Sequence, residues 1–268
     1  MHWGLTLVSM IDTVGLIPAA GRGRRLGPLP FSKEIYPIGF PRANTKKGPR
    51  AVCQYLLEQM RFADIKKAYV ILRNGKWDIP GYLQDGKLVN MDLAYIITSL
   101  SYGPPYTLNQ AYPFVKEAIV AFGFPDILTE PKNVFAQLLD DFKSKSCDVL
   151  LGLFPADDHT KVDMVQIDNQ GRLERIINRP DRTDLSLTWA IAVWGPGFTQ
   201  FLNKYVTDSV ATAEIQPEPS VGQVIQAAVD EHLSIRATVV SQEPYLDIGT
   251  PDGLRKATVK HSRYQAWS

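Results

Sequence analysis

The chain has 268 residues, 45% of them hydrophobic and 21% charged, with a formal net charge of +1. That length can bury a substantial core, and the balance is that of an ordinary globular protein. A charge so near zero gives no global attraction to nucleic acid or to a membrane surface, and neither is expected as a partner.

Residues 1–12 read as an N-terminal extension. Asp12 interrupts their apolar residues, Pro18 soon follows, and no basic leader precedes them. A signal peptide or a membrane span is therefore not expected, and the expected location is cytoplasmic. Residues 13–268 are expected to form one domain. Residues 13–18 predict a short buried strand that runs into Ala19-Ala20-Gly21-Arg22-Gly23-Arg24-Arg25-Leu26-Gly27. Pro28, Pro30, Pro37, Pro41 and Pro49 exclude a long helix before residue 50, so the stretch predicts a long, pinned loop. A loop of that length inside a compact domain is usually functional.

Further along, apolar spacing predicts a helix over 51–63, strands over 67–72, 94–98 and 118–124, and helices over 108–114 and 134–145. A strand over 148–154 follows. Strands 163–168 and 173–177 flank Asn169-Gln170-Gly171, which predicts a hairpin. Strands over 189–193 and 236–240 and helices over 198–205, 221–233 and 252–258 complete the pattern. Strands alternating with helices at this rate predict an α/β fold, a mostly parallel mixed sheet flanked by helices.

Charge is distributed unevenly. Between residues 21 and 50 stand Arg22, Arg24, Arg25, Lys33, Arg42, Lys46, Lys47 and Arg50, against the single acidic residue Glu34. Several of these cations lie between glycines and prolines rather than along a helix, which is the pattern of an anion site. Backbone amides at Ala20, Gly21 and Gly23 can meet phosphate oxygens, Arg25 offers a bidentate fork, and Lys33 a mobile point charge. The segment lacks GxxxxGK[ST], and Gly21, Gly23 and Gly27 do not make GxGxxG, so neither a P-loop nor a dinucleotide loop is expected.

Two carboxylates complement this loop. Asp126 follows a strand at its carboxyl end, where ligands bind in open α/β sheets. Asp247 precedes Ile248-Gly249-Thr250. Carboxylates beside a substrate phosphate are the ordinary ligands of Mg2+, so the pair is expected to converge on one ion. Arg179 is a candidate for an acceptor phosphate, and Trp189 lines either an acceptor pocket or the core. A solvated loop accounts for Asp157, Asp158 and Asp163. Cys53 and Cys147 have no metal-ligand spacing and are expected as free thiols, and the four histidines make no zinc motif.

Together these motifs resemble those of the nucleoside-diphosphate-sugar pyrophosphorylases, especially glucose-1-phosphate thymidylyl- and uridylyltransferases. Residues 21–28 correspond to a GxGxRLxP signature with Lys33 as the loop lysine; Pro125-Asp126 resembles a strand-end metal-binding element; Tyr245-Leu246-Asp247-Ile248-Gly249-Thr250-Pro251 matches WxDIGTP. Asn178-Arg179-Pro180 takes the place of Glu-Lys-Pro. The resemblance implies a magnesium-dependent transfer of a nucleotidyl group from a nucleoside triphosphate, dTTP or UTP favoured, to a sugar 1-phosphate. It implies catalytic roles for Arg25 and Lys33, metal ligation by Asp126 and Asp247, and acceptor binding by Arg179 and Trp189. The implied partners are the triphosphate and a phosphorylated small molecule; homo-oligomer formation is left open. The segment between Leu26 and Lys33 is short, and Ser101-Tyr102-Gly103-Pro104-Pro105 stands where a glycine-rich nucleotide-selecting stretch is expected. Two alternatives follow: a cytidylyltransferase for a non-sugar phosphorylated acceptor, and a catalytically silent regulatory homologue.

Overall fold

A computed structural model describes residues 11–39, 49–99, 102–211 and 218–263. Arg42, Lys46 and Lys47 of the basic segment, Pro41, Ser101 and most of the N-terminal extension lie outside the described residues. In chain order the elements are β1 (Thr13–Pro18), β2 (Pro37–Gly39), β3 (Arg50–Ala51), α1 (Val52–Phe62), β4 (Lys67–Arg73), α2 (Asp78–Leu83), β5 (Asp92–Thr98), α3 (Pro104–Asn109), α4 (Tyr112–Val115) and β6 (Ile119–Gly123). Then come β7 (Ile127–Leu128), α5 (Val134–Lys145), β8 (Val149–Pro155), β9 (Asp163–Ile167), β10 (Leu173–Asn178), β11 (Leu187–Trp194), α6 (Pro196–Ala211), α7 (Val221–Asp230), β12 (Ile235–Val239), β13 (Leu246–Asp247) and α8 (Pro251–Arg263).

The main sheet has nine strands and is mixed. β5, β4, β1 and β6 pair in parallel, and β8 pairs in parallel with β12. β11 lies between the two parallel groups and runs against β6, β8 and β9; β10 returns antiparallel on β9. β10 and β11 thus oppose the other strands, and the expected α/β class with a mostly parallel mixed sheet holds. Along β1 and β6, Val14, Leu16, Val120 and Phe122 enter one apolar cluster, while Ile17 and Ala121 enter the other. The two-residue strand period therefore feeds a core on each face of the sheet, one packed by α6 and α7 and one by α1 and α5. β1 carries no charged residue, as a strand covered on both faces requires.

One local expectation changes, and two segments show detail beyond what was expected. The single helix over 108–114 is two short ones, α3 and α4. Pro113 has no N–H to donate to the Asn109 carbonyl four residues back, so the helix ends at Asn109. The long loop after β1 is not structureless: it holds 3-10 turns at Arg24–Leu26 and Lys33–Ile35 and the β2–β3 ladder. In β11, Ala190 is an extra residue between the Trp189–Leu153 and Ile191–Gly152 pairs. This bulge shifts the alternation, so that Trp189 shares the face of Ala192 and Trp194 rather than that of Ile191 and Val193. Among the described residues, no helix is long and apolar enough to cross a membrane.

Candidate active site

The site assembles at the carboxyl ends of β1 and β6. β1 delivers Ala19 and Ala20 into buried positions, and Ala19 N donates to Ile71 O at 2.8 Å, which holds the start of the loop against β4. The chain then leaves the sheet. Gly23 has φ 64°, in the region that glycine alone adopts without cost, and a side chain at Gly21 or Gly23 would meet nothing within 4 Å. Packing does not demand these glycines; they leave bare backbone facing open space. The 3-10 turn at Arg24–Leu26 follows directly and sets Arg25 over the sheet ends.

Asp126 and Asp247 are 121 positions apart in sequence yet adjacent in space, because β7 and β13 form a two-residue antiparallel ladder. Leu246 pairs with Leu128 and Asp247 with Ile127. Ile248 N donates to Asp126 O at 3.0 Å and extends the contact by one residue. A small apolar cluster of Ile38, Val52, Leu128, Ile248 and Ala257 underlies the ladder. The convergence is sharpest around Gly249. A Cβ there would lie 2.8 Å from Asp247 Oδ1, 2.9 Å from Asp126 Oδ2 and 3.0 Å from Arg25 Nη2. The two carboxylate oxygens therefore flank one small volume.

Each carboxylate has its own cation. Arg25 Nη2 donates to Asp247 Oδ2 at 3.2 Å, and Lys33 Nζ donates to Asp126 Oδ2. The pairs differ in setting. The Arg25 side chain is 55% exposed, whereas that of Lys33 is 14% exposed. Burial alone would lower the Lys33 pKa, but Asp126 beside it, aided by Glu34 and Asp247, holds it above the ordinary lysine value. Burial raises the pKa of Asp247, and the neighbouring Asp126 charge adds to the rise; Arg25 and the Gly249 N–H oppose it. Two crowded carboxylates of this kind are a favourable place for a cation.

A metal ion here would find two hard oxygen donors from the protein. Among the described residues no group of three or more His, Cys, Asp or Glu is arranged to hold one. Mg2+ suits such a donor set, because it retains waters and takes its remaining ligands from substrate phosphate. Asp126 and Asp247 therefore fit the ion that the sequence implied.

Arg179 and Trp189 stand on the β9–β10–β11 side. Arg179 follows β10 with φ 41°, an uncommon conformation for a non-glycine residue, and its N donates to Val162 O at 3.2 Å. Its side chain is exposed. Trp189 is buried against Phe122, with ring centroids 6.1 Å apart. Tyr245 connects the two regions: burial pushes its phenol up to about 12, and the charges of Asp247, Asp163 and Arg179 all reach it. Asp157 and Asp158 are surface residues paired with Lys256 and Lys161. Asp163 departs from the expectation of a solvated loop. It opens β9, accepts from Asn178 Nδ2 at 2.6 Å, and has its pKa raised by burial. Cys53 and Cys147 are free, as expected.

The sequence reading missed Lys76, Asp78 and the role of Glu34. Lys76 and Asp78 have no motif around them. Glu34 did carry a signal, as the one acidic side chain in the basic segment.

The mixed sheet, with a glycine-arginine loop and two carboxylates gathered at the carboxyl ends of β1 and β6, defines an α/β protein with its charged groups at one sheet end. The chain belongs to the nucleotidyl transferase family, whose model matches residues 14–263. No curated protein sequence matches it. Its fold is similar to that of a Bacillus anthracis protein described as a glucose-1-phosphate thymidylyltransferase and solved in complex with a sucrose. That pair has a TM-score of 0.80 and 16% identity over 96% of this chain and 97% of the other. A UDP-glucose pyrophosphorylase from Acinetobacter baumannii superposes with a TM-score of 0.75 at 18% identity, over 96% and 95% of the two chains. The inositol-1-phosphate CTP transferase of T. maritima gives 0.74 at 15% identity, over 96% and 98%.

Proposed function

We propose that this nucleotidyltransferase moves a nucleotidyl group from a nucleoside triphosphate, dTTP or UTP first, onto a sugar 1-phosphate, with Mg2+ as the metal. The observation that carries this reading is the convergence of Asp126, Asp247 and Arg25 around Gly249, with Lys33 paired to Asp126. An oxygen of the acceptor phosphate forms a bond to the α-phosphorus as the bond to the β-phosphate oxygen breaks, and pyrophosphate leaves with that electron pair. The attacking oxygen is already anionic, so no general base and no Ser-His-Asp constellation is required.

The chain's residues bind and orient. Backbone at Ala20, Gly21 and Gly23 meets the triphosphate, and Arg25 moves from Asp247 onto the phosphates, where its exposure leaves it free to turn. Lys33 is enclosed and carries a fixed positive charge toward the reacting phosphate, where negative charge grows. Asp126 and Asp247 would hold the Mg2+, which supplies a counter-charge to the phosphate oxygens when bound. Arg179 receives the acceptor phosphate, and Trp189 backs the acceptor pocket.

A second reading keeps this chemistry with CTP and a non-sugar phosphorylated acceptor. It is favoured by the short segment between Leu26 and Lys33 and by the likeness to an inositol-1-phosphate CTP transferase. The catalytically silent alternative is disfavoured by the presence of both carboxylates and both cations in one place. A matrix of nucleoside triphosphates against phosphorylated acceptors, read by pyrophosphate release with magnesium, tests all three. The expected result is release with dTTP or UTP and a hexose 1-phosphate. Release confined to CTP with a non-sugar acceptor selects the second reading, and no release together with no calorimetric binding of any magnesium–nucleotide selects the third.

A further inference from the structure

Three segments meet behind the site at one buried cation. Lys76 Nζ, in the connection between β4 and α2, donates to the Ala19 carbonyl at 2.7 Å and to Glu34 Oε1 at 2.7 Å. Lys76 is 5% exposed and Glu34 2% exposed. Two residues on, Asp78 accepts from Ser32 N at 2.6 Å and from Ser32 Oγ at 2.8 Å. The β4–α2 connection, with the first residue of α2, therefore grips the residue before Lys33 and the residue after it. Through Ala19 it also grips the first residue of the phosphate-facing loop.

We propose that Lys76 and Asp78 are positioning residues: the β4–α2 connection is a clamp that fixes the Lys33 ammonium and the 19–23 backbone relative to each other. The physical case is one of degrees of freedom. Lys33 lies in a 3-10 turn of only three residues, too short to hold itself. Apart from the Ala19 N–Ile71 O bond at its start and the Lys33–Asp126 pair, the proline-containing segment between β1 and β2 has no strand pairing to hold it. A buried ion pair is poor at adding net stability and good at specifying one arrangement, which is the use this location needs. Among the described residues Glu34 Oε2 has no hydrogen-bond partner, so there the carboxylate is held by Lys76 through Oε1. Reactive groups misplaced by about 1 Å lose on the order of a hundredfold in rate, which sets the scale of the benefit.

The clamp has a test that does not depend on the substrate reading on which its purpose rests. In the full chain, hydrogen exchange read by mass spectrometry is compared for Lys76→Met, Asp78→Ala and the paired change Glu34→Gln with Lys76→Met, which leaves no stranded charge. Lys76→Met and the paired variant are expected to speed exchange about tenfold or more in residues 19–23 and 32–36 together, with β8 and β11 unchanged. Asp78→Ala is expected to act on 32–36 alone. Turnover with magnesium–UTP and glucose 1-phosphate supplies the second readout. Lys76→Met should cost kcat on the order of tenfold to a hundredfold in the wild-type background and little more once Lys33 is already alanine. Unchanged exchange in both segments overturns the clamp, as does a Lys76→Met cost that multiplies independently with that of Lys33→Ala. If the wild-type chain releases no pyrophosphate from that substrate pair, the turnover readout moves to the pair that the substrate matrix selects; no release from any pair sinks the substrate reading, and the exchange data still decide the clamp.

Discussion

Arg25 and Lys33 carry the same formal charge but stand in different settings. Arg25 reaches Asp247 from an exposed turn, whereas Lys33 is enclosed against Asp126. Under the proposed function, the exposed Arg25 guanidinium turns onto the triphosphate and serves charge that develops during transfer. Arg25→Ala is therefore expected to lower kcat by about a hundred- to a thousandfold with a smaller change in KM, measured as pyrophosphate release. Near-normal turnover would remove Arg25 from the mechanism. Asp247 offers a pH-dependent check. Its pKa is raised by burial and then by Asp126, so its ionised form costs the folded state stability. That cost is present above the raised folded pKa and absent below the ordinary aspartate pKa. Asp247→Asn should thus raise the unfolding midpoint of the metal-free protein at pH 7, by about 2–4 °C for each 1 kcal/mol relieved. The gain should shrink as pH falls through the raised pKa. The same variant should lose turnover, a trade of stability against activity expected where charges are crowded for function. A midpoint that falls at pH 7 would contradict the electrostatic account.

The β7–β13 ladder shows how a minimal element can create a site. Two residue pairs and one further backbone bond bring Asp126 and Asp247 together, over a floor of Leu128 and Ile248. Gly249 is required for what its missing Cβ leaves empty. Gly249→Ala would place a carbon 2.8 Å from Asp247 Oδ1 and 2.9 Å from Asp126 Oδ2, so these carboxylates must shift to admit it, and 3.0 Å from Arg25 Nη2. The expected result is a folded protein with an unfolding midpoint close to that of the wild type and turnover reduced about tenfold or more, because the wedge spreads the carboxylates rather than the core. Loss of cooperative unfolding instead would show that the ladder supports the fold itself. Local sequence signals were clear for the longer elements. β1 and α5 have the predicted bounds, since an uninterrupted apolar run and a full amphipathic period leave little choice. They failed for the two-residue strands, which lack a period to read, and for the helix that Pro113 divides.

Over the whole molecule, the sheet order puts the carboxyl ends of β1 and β6 side by side, with the loop, Asp126 and the DIGTP segment sharing one mouth. Metal and nucleotide bound there would each raise the affinity for the other, because each neutralises charge that the other needs neutralised. Thermal unfolding is expected to show it. Magnesium alone should move the midpoint little, and magnesium with nucleoside triphosphate should raise it by more than the two separate shifts combined. Shifts that merely add would separate the metal from the nucleotide site.

The primary structure was enough for the α/β class and the order of the long elements, because strand and helix periods are local properties of the chain, and its short motifs nominated the loop cations and both carboxylates. It could nominate Asp126 and Asp247 but not bring them together, since their meeting depends on a ladder of two residues. It could not distinguish Asp163, half-buried at the start of β9, from the surface Asp157 and Asp158 a few residues earlier. Nor could it orient Trp189, whose face depends on one extra residue in β11. Lys76 looked like any loop lysine until the fold enclosed it between Ala19 and Glu34. In each case the deciding quantity is burial or contact across distant segments, and a side chain acquires both only when the sheet has closed around it.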